Sequence, residues 1–64
     1  MKGFEQEAAA FAARCIKDAV EVGETVETFI EERDELQQAL ARRGVETSPT
    51  LEGYNQAIAE LQQQ

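Results

Sequence analysis

Apolar residues recur at helical spacing along most of this chain. Val22, Val26, Phe29, Leu36 and Leu40 step by four, three, seven and four, forming one helical stripe. The rung missing from the step of seven is Arg33. Further on, Leu51, Tyr54, Ile58 and Leu61 step by three, four and three, a narrow seam of the kind that lies against another helix. Ahead of both, the N-terminal part carries two apolar rows. Phe4, Ala8, Phe11, Cys15 and Ala19 make one; Ala9, Ala13, Ile16 and Val20 make the other. A helix apolar over that much of its surface needs covering on two sides, and its many alanines allow close helix approach. The pattern predicts an all-α protein.

Two breaks interrupt the pattern, and they differ in strength. In LARRGVETSPTLE, Arg42 and Arg43 complement a helix C-terminus, Gly44 suits a left-handed closing residue, and Val45 falls where it can touch Leu40. Ser48 and Pro49 then read as N-cap and first helical residue. The second break, Gly23 in AVEVGETVE, is weaker, because a glycine within a helix costs only about 1 kcal/mol relative to alanine. Thr28 also stands where a capping box begun by Thr25 would place Glu or Gln. The favoured expectation is a hairpin: a long helix over about residues 4–43, straight or kinked at Gly23, a turn at 44–48 and a shorter helix over about 49–62. The alternative is a monomeric three-helix bundle turning at Gly23.

Length decides what such a hairpin leaves bare. A helix over 4–43 spans roughly 60 Å and one over 49–62 about 20 Å, so the short arm covers only the nearer end of the long one. Folded back, it sets Leu51 level with Leu40, Tyr54 with Leu36, Ile58 with Arg33 and Leu61 with Phe29. Residues 4–22 then stay uncovered and invite a second copy of the chain. The expected assembly is a homodimer or small oligomer with a helical-bundle core. A single domain of 64 residues, a size at which burial is barely sufficient, points the same way.

Charge and composition narrow the partners. Thirteen acidic against six basic residues give a net charge of −7, which repels phosphate backbones and anionic lipid, so neither nucleic acid nor a membrane is expected as a direct ligand. The longest stretch without a charge, Gly53 to Ala59, is too short for a secretory signal or membrane span. With no histidine and one cysteine, the chain lacks a usual zinc set and an internal disulfide, and a cytoplasmic location is expected.

The densest chemical feature is the series Glu24, Glu27, Glu31, Asp34 and Glu35. Metal-dependent all-α hydrolases place paired carboxylates on helices, but there they converge inward from two helices. Here the projection sets them opposite the stripe of Val26 and Phe29, as a solvated face. Cys15 falls on an apolar side and reads as a small buried thiol, without a histidine base to activate it. Tyr54 reads as a core aromatic with its hydroxyl at the rim. Arg33 has no acid at three or four residues, so it must reach water, stack on Tyr54, or pair with an acid elsewhere in the assembly.

The function expected is non-catalytic, with no cofactor and no metal: a small acidic regulator, inhibitor or chaperone of bacterial or phage type that binds another protein. The candidate interaction or oligomer interface comprises Phe4, Phe11, Cys15, Ile16, Val20, Arg33 and Tyr54. The alternatives are a metal-dependent phosphohydrolase using helix carboxylates and an acidic nucleic-acid mimic.

Overall fold

The computed structural model describes residues 2–63 and consists of three helices: α1 (Lys2–Glu21), α2 (Val26–Arg42) and α3 (Pro49–Gln62). The all-α expectation holds, but the long helix over 4–43 does not form. It is cut at Gly23, which adopts φ +125°, and the chain turns there into α2. The turn closes in the Schellman pattern. The Glu24 N–H reaches the Ala19 carbonyl at 3.1 Å and the Gly23 N–H the Val20 carbonyl at 3.2 Å. No other atoms lie within 4 Å of where a Cβ on Gly23 would stand, so the backbone angle, not space, is what calls for glycine.

α2 ends in the same way. Gly44 has φ +76°, the Val45 N–H donates to Leu40 at 2.9 Å and the Gly44 N–H to Ala41 at 3.0 Å. α3 starts as its sequence requires, with Pro49 in its first turn and the Ser48 hydroxyl accepting from the Leu51 N–H at 3.2 Å. Thr25 caps α2 without a side-chain bond to the backbone, its hydroxyl instead lying 3.1 Å from that of Thr28.

The packing centres on α1 and α3. Gly53 of α3 lies so close to α1 that a Cβ there would stand 2.6 Å from the Ala12 Cβ and 2.6 Å from the Ala9 carbonyl oxygen. One turn further along α3, Ala57 is fully buried with Ala13 and Ile16 of α1. At the far end the Lys17 ammonium pairs with Glu60 at 2.9 Å, at the surface, where such a pair is worth about 1 kcal/mol or less. Both helices advance together through these contacts, so α1 and α3 run parallel. The seam is built from small residues that allow backbones to approach, with Ile16 adding buried bulk of about 2 kcal/mol; Leu51 and Ile58 of α3 are buried as well.

α2 is held more loosely. None of its residues is buried; Val26, Phe29, Ile30, Leu36 and Leu40 are all half-covered. It lies on α3 through Phe29, whose ring meets Tyr54 edge-on with centroids 6.4 Å apart. Tyr54 therefore sits about two turns along α2 from the Leu36 level expected for a hairpin. The shift follows from α3 lying chiefly on α1, which the hairpin left bare.

Two glycine substitutions test these causes. Gly23→Ala should lose about 1–2 kcal/mol in chemical denaturation, because alanine is strained at that angle; a gain would mean a continuous helix. Gly53→Ala should lose about 1–3 kcal/mol or more from overpacking. Adding Ala12→Gly should not restore it, because the Ala9 carbonyl is backbone and remains in the way.

Candidate protein-interaction surface

The close α1–α3 seam divides the two apolar rows of α1. Ala9, Ala13 and Ile16 are buried and Val20 is half-covered, so this row is spent inside the protomer. The other row points away. Phe4 is 72% exposed, Phe11 is 70% exposed, and Cys15 between Phe11 and Ala19 is exposed as well. The expectation that residues 4–22 lie wholly bare is thus corrected to one row of the two. The buried-thiol reading of Cys15 is corrected also, since α3 covers the alanine row and not the aromatic one.

Cys15 stands at the edge of a further feature. With Ala12 and Ile16 of α1, Phe29 of α2 and Tyr54 of α3 it lines an open apolar hollow of about 250 Å³. This hollow exists because α1 and α2 each lean on α3 rather than on one another, leaving a gap between them. Val20 lines a different depression, with Lys17, Glu21 and Leu61. Of the residues proposed for an interface, Phe4, Phe11 and Cys15 share an open face, Tyr54 and Ile16 form the hollow beside it, and Val20 and Arg33 lie apart.

Arg33 is answered within the chain. Its Nε donates to Asp34 at 2.9 Å and its Nη1 to the Asn55 side-chain oxygen at 2.8 Å, so it bridges α2 and α3. Positions three and four away, where a helical ion pair is normally sought, are bypassed in favour of the adjacent Asp34 and a polar residue off the apolar seam of α3. Next to it the Tyr54 hydroxyl donates to Glu32 at 2.9 Å. These two bridges are the polar complement of the Phe29–Tyr54 contact.

The acidic series Glu24, Glu27, Glu31, Asp34 and Glu35 is exposed throughout, as its projection implies. Among the described residues no three His, Cys, Asp or Glu side chains come together as a metal-binding group. Nor is any helix among them long and apolar enough to cross a membrane. Compared with protein-family models, curated proteins and solved structures, the chain matches none.

Burial, the hydrogen bond to Glu32 and the negative charge of that carboxylate all raise the Tyr54 hydroxyl above its ordinary value of 10.0. The folded state thus keeps this proton after the unfolded chain has begun to lose it. The resulting stability is fully present below pH 10 and is lost as pH rises through the higher folded value. Tyr54→Phe should make the decline in stability above pH 10 shallower, measured by denaturation at a series of alkaline pH values. An identical decline in both proteins would mean that the Tyr54–Glu32 contact contributes nothing.

Proposed function

We propose that the protein is a non-catalytic binding module that takes an apolar helix of a partner protein along the outer row of α1. The observation that carries this reading is the exposure of Phe4 and Phe11 on one face. Phenylalanine gains about 1.5–3 kcal/mol on burial, yet the buried side chains of this core are alanine, leucine and isoleucine while both α1 aromatics face water. Apolar residues recurring at helical spacing on an open face form the surface against which an amphipathic helix docks. The flanking hollow supplies a pocket for one large side chain of that helix.

A regulator, inhibitor or chaperone works in this way, by covering or presenting a helix rather than by transforming a substrate. The exposed thiol of Cys15 suits a reducing compartment such as the cytoplasm. The carboxylates of α2 lie on its exposed face, Glu32 and Asp34 engaged by Tyr54 and Arg33, and nothing in their arrangement favours the hydrolase or nucleic-acid-mimic readings over binding through α1.

A photoreactive phenylalanine analogue in place of Phe11 tests the surface in cells. Irradiation should yield protein adducts from that position and few from the same analogue at Gln38, which is exposed on α2. Equal adduct yields from the two positions, or none from Phe11, would refute the assignment of α1 as the binding face.

A further inference from the structure

We propose that the helix received by the outer row of α1 is α1 of a second copy of this chain, running antiparallel about a twofold axis. This names the partner of the binding face described above and rests on that reading. The row itself alternates in size: Phe4, Ala8, Phe11 and Cys15 read large, small, large, small, with steps of four, three and four as in one seam of a coiled coil. Antiparallel overlap of two such rows sets Phe4 against Cys15 of the second copy and Ala8 against Phe11 of the second copy, and twofold symmetry repeats each contact. Every layer then joins one aromatic ring to one small side chain, which keeps the packed volume even. Parallel overlap would stack ring on ring and methyl on methyl, crowding some layers and emptying others.

Charge selects the same direction. Glu7 and Arg14 flank Phe11 on the side of the row away from the hollow, and with Ala10 they line a shallow depression beside it. Neither has an ion-pair partner among the described residues. Antiparallel overlap brings Glu7 beside Arg14 of the second copy, twice over. Parallel overlap leaves them about 10 Å apart along the axis, at 1.5 Å per residue. Asp18, one heptad after Phe11, ends the apolar run and confines the overlap to residues 4–15.

The hollow supplies the third fit. Phe4 of the second copy, placed over Cys15, has its ring at the mouth of the cavity of about 250 Å³ that Cys15 lines with Ala12, Ile16, Phe29 and Tyr54. A side chain from a fourth helix fills a space that three helices leave open. Two phenylalanines per copy, each with on the order of 150 Å² to bury, give roughly 600 Å² of aromatic area over both copies, which makes this a small interface and the association weak and transient. Dimerisation is therefore a concentration-dependent step in the micromolar range.

Disulfide trapping in the full chain reads the register directly. Under mild oxidation, Phe4→Cys should form a covalent dimer, with peptide mapping joining position 4 of one copy to Cys15 of the other, while the wild type stays uncross-linked because its Cys15 faces a phenylalanine. Sedimentation equilibrium supplies the second readout without altering the seam. Glu7→Arg should weaken the dimer by about tenfold through lost pairing and added repulsion, and Glu7→Arg with Arg14→Glu should restore it. A wild-type cross-link through Cys15 itself would mean parallel helices and overturn the proposal. A monomer at all concentrations up to about 100 μM would overturn it too, since that is well above the dissociation constant expected of micromolar association. In that case heterologous adducts from position 11 would leave the broader binding reading intact, and their absence would end both.

Discussion

A single missing methyl group sets the arrangement of this molecule. Gly53 lets the backbone of α3 lie directly on Ala9, Ala12 and Ala13 of α1, closer than any residue with a side chain permits. That approach aligns Ala57 with Ala13 and Ile16 and draws Lys17 to Glu60, so α1 and α3 form a parallel pair. Once α3 is committed to the alanine row, the remaining features follow. α2 can reach only the flank of α3, and the aromatic row of α1 is turned outward with Phe4, Phe11 and Cys15 exposed.

The consequence is an uneven distribution of stability. The α1–α3 seam is made of small side chains and Ile16, whereas α2 has no buried residue and is tied to α3 by the Phe29–Tyr54 contact and the two polar bridges of Arg33 and Glu32. Exposed bridges of this kind contribute little individually, so α2 belongs to the weaker part of the fold. The proposed second copy addresses that weakness, because a ring entering the hollow would touch Phe29 and Tyr54 as well as Cys15. In that proposed dimer, binding and the seating of α2 would be coupled.

Much of this was legible in the sequence, and the failures have specific causes. Gly44 announced its turn because basic residues precede it, an apolar Val45 follows and Ser48–Pro49 restarts the helix. Gly23 makes the same backbone turn with fewer signals: charged Glu24 stands where an apolar residue would strengthen the Schellman end, and Thr25 begins no capping box. The two rows of α1 were visible, but not which one is covered. Bulk favours the phenylalanines, while close approach favours the alanines, and the deciding residue, Gly53, lies some forty positions away. The need of Arg33 for a partner is plain from its neighbours at three and four residues. Asn55 is not legible as that partner, because it is polar and sits outside the seam of Leu51, Tyr54 and Ile58.

One row of α1 packs within the protomer, and in the proposed dimer the other packs between protomers. An isotope-filtered nuclear Overhauser experiment on a mixture of labelled and unlabelled chains separates the two classes of contact. Gly53 Hα to Ala12 methyl contacts should appear only within a chain, and Phe11 ring to Ala8 methyl contacts in the between-chain spectrum. Gly53 to Ala12 contacts between chains would instead describe an exchanged dimer, with α3 packed on the other copy's α1, and would contradict the fold described above.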